Sequence, residues 1–146
     1  MEPRKLVHTT QIAMRWGDMD AYGHVNNTVY FRYMEQARVE WVESFGQELL
    51  AGGGRPVIVN AGCTFLIPLT YPGTVEVRTY AGKPGRSSVQ THIEMRLVGD
   101  ERLYAEGQAW AELEQLLTRE HDFVGDKEQA QLYYRRAELR AHKDAL

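Results

Sequence analysis

The period of the apolar residues changes abruptly near residue 26, and this change constrains the fold more than any other feature of the chain. From about Val7 to Trp16, the residues Ile12, Met14 and Trp16 alternate with polar or small neighbours, the two-residue period of a half-buried strand. Asp18 to Asn26 is turn-like. Beyond it Tyr30, Tyr33, Met34, Ala37, Trp41, Val42 and Phe45 recur every three or four residues, which places them on one face of a helix. Asn26 or Asn27 suits the N-cap, because its side-chain oxygen can accept from the free amides of the first turn. No Glu or Gln follows at capping-box spacing. Gly52-Gly53-Gly54 is expected to end the helix, unless Gly46 ends it first.

The two-residue period then returns. Val57, Val59, Ala61, Cys63, Phe65 and Ile67 share one phase, and Thr74 to Tyr80 sets Val75 and Val77 against Glu76 and Arg78. Ser88 to Val98 sets Val89, Ile93, Met95 and Leu97 against Gln90, His92, Glu94 and Arg96, and Arg102 to Leu116 repeats the pattern with Leu103, Ala105, Ala109, Ala111 and Leu113. Gly107 in that series marks either a bulge or the close approach of another element. Turn signals at Tyr71-Pro72-Gly73, Lys83-Pro84-Gly85 and Gly99-Asp100 separate the runs. Such short links favour antiparallel neighbours, since parallel strands need long crossovers. The order is strand, long helix, four strands and a charged tail. One apolar-faced helix and one sheet must cover each other, so the fold class is α+β. Gln129 to His142 can add a second helix striped by Tyr133, Ala137 and Ala141.

With 146 residues, the chain has the size of one domain, large enough to bury a core without a disulfide or metal. Seventeen Lys+Arg against twenty Asp+Glu give a formal net charge of −3, which supplies no general attraction to nucleic acid or to an anionic membrane. The apolar runs are far shorter than the ~20 residues of a membrane span. Met1 to Thr10 carries charges without an apolar segment, so no signal peptide is expected and a cytoplasmic location is. One cysteine, Cys63, excludes an internal disulfide and a multi-cysteine metal site.

Reactive groups concentrate in Asp18-Met19-Asp20-Ala21-Tyr22-Gly23-His24-Val25-Asn26-Asn27, between the first strand and the helix. A helix start offers unpaired amides and a positive dipole end, and a carboxylate just upstream can act beside whatever those amides polarise. A calcium loop fails, since Tyr22 stands where Asp or Asn is wanted and Val29 where the bidentate Glu belongs. Asp18, Asp20 and His24 on one turn, without a distant fourth ligand, make a poor transition-metal site. Gly85-Arg86-Ser87-Ser88-Val89 lacks the final glycine of a nucleophile elbow. Cys63 is in phase with apolar neighbours and reads as buried and inert. A purely structural turn remains open, in which Asp18 caps, Gly23 turns, His24 packs and the asparagines cap the helix. Trp16, Trp41 and Trp110 read as core or interface, and Glu35 with Arg38 as a helix pair or a site feature.

Asp20-x-x-Gly23-His24-Val25-Asn26-Asn27-x-x-Tyr30, followed by Tyr33-x-Glu35-x-Ala37-Arg38, resembles the signature of hotdog-fold acyl thioesterases, closest to the 4-hydroxybenzoyl-CoA thioesterase-like enzymes. Phe65-x-x-Pro68, Gly73-x-Val75-x-Val77 and Gly85-Arg86-Ser87-Ser88 are similar to further landmarks, so the likeness runs from about Thr9 to Leu116. The resemblance implies an antiparallel sheet wrapped around a central helix, one domain over residues 1–118, and a charged extension, helical in part, over 119–146. It implies hydrolysis of an acyl-CoA, or of an acyl-carrier-protein thioester, without metal or cofactor. Asp20 matches the catalytic carboxylate, acting as nucleophile or as general base. Helix-start amides near Asn27 match the group that polarises the carbonyl. His24 matches a histidine of the plant branch, where an asparagine stands in place of Tyr22; this leaves His24 as a positioning group or spare acid/base. Gly23, Val25, Asn27 and Tyr30 are expected to contact substrate, and Arg86, Ser87 and Ser88 to meet the nucleotide end of CoA. A homodimer or homotetramer with interface sites follows from the same resemblance. The rival reading is a non-catalytic acyl-CoA or acyl-carrier-protein binding module; a hotdog hydratase or dehydratase is a third.

Overall fold

The computed structural model describes residues 4–44, 56–82 and 88–113. Five strands and one long helix follow in chain order: β1 Lys5–Ala13, α1 Asn27–Glu43, β2 Pro56–Phe65, β3 Thr74–Ala81, β4 Ser88–Leu97 and β5 Ala105–Leu113. They form a single sheet in the order β1-β3-β4-β5-β2, with every pairing antiparallel. This is the hotdog arrangement that the resemblance implies. The expected C-terminal helix, the glycines 52–54, Arg86 and Ser87 lie outside the described residues.

The helix buries the predicted stripe of Tyr30, Tyr33, Met34, Ala37 and Trp41. Against it the sheet sets Val75 and Val77 of β3 and Ile93 and Met95 of β4, all at most 1% exposed. Each such side chain contributes about 1.5–3 kcal/mol by leaving water, so this seam holds the two layers together. The opposite sheet face is charged: Glu76 stands across from Arg96 and Arg78 across from Glu94, while Arg78 also pairs with Glu76 and Arg96 with Glu94 along their own strands. Among the described residues no helix is long and apolar enough to cross a membrane.

Gly107 is explained by close approach. A Cβ there would stand 2.8 Å from both Sδ and Cε of Met34 and 3.4 Å from the Gly62 carbonyl oxygen, so the missing side chain leaves room for the flexible end of Met34 reaching down from α1. Because that end of Met34 can turn aside, Gly107→Ala is expected to destabilise the fold by about 1 kcal/mol or less, the low end for overpacking. Truncating Met34 removes the clash. In denaturant unfolding, Gly107→Ala combined with Met34→Ala should therefore cost less than the sum of the two single changes.

Three expectations are corrected. β1 stops at Ala13, and Trp16 enters a single 3₁₀ turn, Trp16–Asp18, where it is 75% exposed. The cause is Asp18, whose Oδ2 accepts from the Arg15 N–H at 2.9 Å and turns the chain before the strand can continue. β5 begins at Ala105 rather than Arg102, because Asp100 gathers the Arg102 N–H, the Arg102 guanidinium and the Tyr104 hydroxyl into a loop. In β2 the register slips between Ile58 and Asn60. That bulge breaks the expected common phase, and Val59 and Phe65 are 45% and 44% exposed. Trp41 is core, whereas Trp110 is exposed on the sheet.

Candidate active site

The loop between β1 and α1 is held at several points that also define the site. Gly23 takes φ +76, a conformation costly for any residue with a Cβ, and this lets the chain fold back on itself. The Gly23 N–H donates to the Asp20 carbonyl and the Asp20 N–H to the His24 carbonyl, each at 3.0 Å. Val25, 5% exposed, donates its N–H to the Leu69 carbonyl at 2.8 Å, and the Leu69 N–H donates to the Tyr30 hydroxyl at 3.1 Å. Leu69 thus ties the loop before β3 to the start of α1. Asp18 is the second tie. Its Oδ2 also accepts from the Tyr33 hydroxyl at 2.7 Å, joining the turn to the helix one turn further on.

These ties aim Asp20 at the helix start. Its Oδ1 accepts from the Tyr22 N–H at 2.9 Å and its Oδ2 from Asn26 Nδ2 at 3.0 Å. Asn26 is the N-cap. Of the first helical amides, Thr28 N–H donates to Asn26 Oδ1 and Val29 N–H to the Asn26 carbonyl. The Asn27 N–H has no acceptor among the described residues. It therefore stands as the donor that the helix start offers to a ligand.

A cleft of about 370 Å³ opens beside these groups. Asp20, Tyr22, His24, Val25, Asn27 and Tyr30 line one side, and Phe65, Leu66 and Pro68 the other. Phe65 stands edge-on to the Tyr30 ring at 4.8 Å, forming an apolar wall. Burial pushes the Tyr30 hydroxyl above its usual range despite the Leu69 amide. It also pushes the Cys63 thiol up to about 11, which keeps that sulfur protonated and un-nucleophilic at neutral pH. Five expected site residues thus meet in the cleft, Asp20, His24, Val25, Asn27 and Tyr30, while Gly23 turns the loop that carries them. The His24 side chain is exposed rather than packed and makes no hydrogen bond to Asp20 in this structure. Glu35 makes its hydrogen-bonded ion pair with Arg32 at 3.1 Å, and acts on the partly buried Arg38 guanidinium by charge alone.

Ser88 is elsewhere in the protomer. It pairs with Glu112 at one end of β5, whereas the Phe65 wall pairs with Ala105 at the other. That separation is roughly 24 Å at about 3.4 Å per residue. The role of Asn26, the Tyr33–Asp18 tie and the contribution of Tyr22 and Leu66 to the cleft were not expected from sequence. Tyr33 and Asp18 are fifteen residues apart, and no spacing rule pairs them.

Residues 14–119 match the thioesterase-like superfamily. The chain belongs to that family. Its fold superposes on a candidate thioesterase from Pseudomonas aeruginosa with a TM-score of 0.75 and 39% identity, over 88% of this chain and 99% of that one. A candidate acyl-CoA thioesterase from Xanthomonas campestris superposes with a TM-score of 0.67 and 34% identity, over 75% of this chain and 93% of that one. A chloroplastic acyl-acyl carrier protein thioesterase of Arabidopsis thaliana is 29% identical over 86 residues, which is 50% of this chain and 46% of that protein. The chain spans about half the length of the curated relatives it matches. The superfamily match and these candidate thioesterases support thioester hydrolysis in general terms.

Proposed function

We propose that this thioesterase-family chain hydrolyses acyl-CoA thioesters to the free carboxylic acid and CoA, with Asp20 as nucleophile or general base. The observation that carries the reading is the pairing, in one cleft, of the Asp20 carboxylate with the unengaged Asn27 N–H at the start of α1. The amide and the helix dipole stabilise the negative charge that develops on the thioester oxygen. In the general-base route Asp20 takes a proton from water as its oxygen bonds to the carbonyl carbon. The C–S bond then breaks, and the CoA thiolate leaves and takes up a proton. In the nucleophilic route an Asp20 oxygen bonds to that carbon first, and the C–S bond breaks as the CoA thiolate leaves and takes up a proton. Water then hydrolyses the mixed anhydride to the free acid and the Asp20 carboxylate. Thiolate is a good leaving group, so neither route needs a strong acid beside it; His24, exposed on the rim, serves at most as a proton relay to solvent.

The Tyr30–Phe65 wall takes the acyl group, and Gly23 and Val25 shape the loop around the carbonyl. Arg86, Ser87 and Ser88 are assigned to the nucleotide end of CoA, which the pantetheine arm carries well away from the thioester; Ser88 stands at the other end of the sheet from the Phe65 wall. β2 is an edge strand carrying exposed Val59 and Phe65, with Leu66 just beyond, and a homodimer or homotetramer joined there covers an edge that is otherwise an aggregation hazard. The carrier-protein thioester is the alternative substrate, and the Arabidopsis relative favours keeping it in the assay.

Thiol release from acetyl-, hexanoyl-, palmitoyl- and benzoyl-CoA, and from one acyl-carrier-protein ester, tests the reading. Saturable release with at least one CoA ester is expected. Tight binding of these esters without release would make the chain a binding module instead, and hydration of an enoyl-CoA would make it a hydratase.

A further inference from the structure

The Asn26 side chain is bonded at both ends, and the two ends serve different parts of the site. Oδ1 accepts from the Thr28 N–H at 2.9 Å and from the Thr28 hydroxyl at 2.6 Å. An amide oxygen accepts and an amide nitrogen donates, so the cap decides which end of the side chain faces Asp20. It is Nδ2, 3.0 Å from Asp20 Oδ2. The backbone of Asn26 is pinned as well, its N–H donating to the Asp18 carbonyl at 2.9 Å and its carbonyl accepting from Val29. The second carboxylate oxygen of Asp20 is held by the Tyr22 N–H.

An Asp carboxylate left to itself rotates about a broad, two-fold torsion. Here one donor on each oxygen sets that rotation. One of the two donors belongs to the residue that also builds the first turn of α1, immediately before the free Asn27 N–H. We propose that Asn26 is the positioning residue of the reaction: it fixes the Asp20 carboxylate relative to the amide that polarises the carbonyl, by bonding the carboxylate with one end of its side chain and the helix start with the other. This rests on the reading of Asp20 as the catalytic carboxylate. Rates of acyl transfer depend steeply on such placement.

The two functions of the side chain can be separated by substitution. Asn26→Ser keeps a good N-cap but has no group that reaches Asp20. Asn26→Asp keeps the cap and adds charge that suits a helix start, yet it replaces the donor facing Asp20 by a second carboxylate. The expected result for Asn26→Ser is a fall in kcat of about 10- to 100-fold, with KM within about threefold, and an unchanged unfolding midpoint. For Asn26→Asp kcat should fall further than in the Ser variant, and the close pair of carboxylates should lower the midpoint as well. A residue that merely stabilises the fold cannot give the Asn26→Ser result, a loss of kcat at an unchanged midpoint. In the Asp20→Asn background, Asn26→Ser should add little, because the group it positions is already gone.

Both Asn26 variants within twofold of wild-type kcat, while Asp20→Asn is inactive, would overturn the proposal and leave the role of Asp20 standing. So would an Asn26→Ser loss that tracks the unfolding midpoint, or one that is undiminished in the Asp20→Asn background. Full turnover in Asp20→Asn alone would remove the reading of Asp20 and this proposal with it.

Discussion

Asp20→Asn is expected to lower kcat for acyl-CoA hydrolysis by about two to four orders of magnitude, the range for losing a positioned acid/base or nucleophilic group. The substitution is nearly isosteric. An amide oxygen can still accept from Tyr22 or from Asn26, the two donors that hold the carboxylate at 2.9 and 3.0 Å, although its NH₂ end must then face the other donor. What disappears is the negative charge and the capacity to take a proton or to attack. Substrate binding draws instead on the Tyr30–Phe65 wall and the rest of the cleft, so KM should change far less than kcat. Equal falls in kcat and kcat/KM are the signature of a group that acts in the transition state. Steady-state thiol release, with wild type and variant purified in parallel, reads both parameters. Turnover within a few-fold of wild type would remove Asp20 from the chemistry and shift the proposal toward a binding function.

The elements most legible in the sequence are those whose periodicity is enforced by burial on one face. α1, β3 and β4 lie where their apolar spacing puts them, because each presses one face into the same seam of Met34, Val77, Ile93 and Met95. β2 is less legible for the converse reason. It is an edge strand with a bulge, and with Val59 and Phe65 left exposed no burial enforces a single phase along it. Trp16 misleads because the apolar alternation runs on into a segment where Asp18 offers the backbone a competing hydrogen bond. The candidate site was legible as a motif, since Asp20, His24 and Asn27 are close in sequence. Its support was not. The Tyr33–Asp18 and Leu69–Tyr30 bonds join residues fifteen and thirty-nine apart, and only the folded chain brings them together. Asn26 lay in plain view as an N-cap, but a cap consumes only the oxygen of the side chain. The direction of the remaining NH₂ depends on a loop geometry set by Gly23 and by the bond from the Asn26 N–H to Asp18.

Asn27→Pro should lower kcat by about 100- to 1,000-fold, the cost measured in other acyl-transfer enzymes for removing one oxyanion donor, while leaving the helix intact. Asn27 is the first residue of α1. Proline is favoured at that position, because its fixed φ suits the helix and the N–H it lacks has no intrahelical partner. The preceding residue must be extended for proline to follow, and Asn26 already is, at φ −60 and ψ 139. The substitution therefore removes a single backbone hydrogen-bond donor without a steric demand on the chain before it. Asn27→Ala is the control: it deletes the exposed side chain but keeps the N–H, and its kcat should stay within a few-fold of wild type. The two variants should unfold within about 1 kcal/mol of each other, since the amide in question bonds nothing within the described residues and proline tolerates the site. A proline ring that only obstructs the cleft would raise KM with kcat preserved, whereas loss of the polarising amide lowers kcat and kcat/KM together. If Asn27→Pro keeps wild-type kcat, the carbonyl is polarised elsewhere, and the start of α1 serves to hold Asp20 rather than to stabilise the oxyanion.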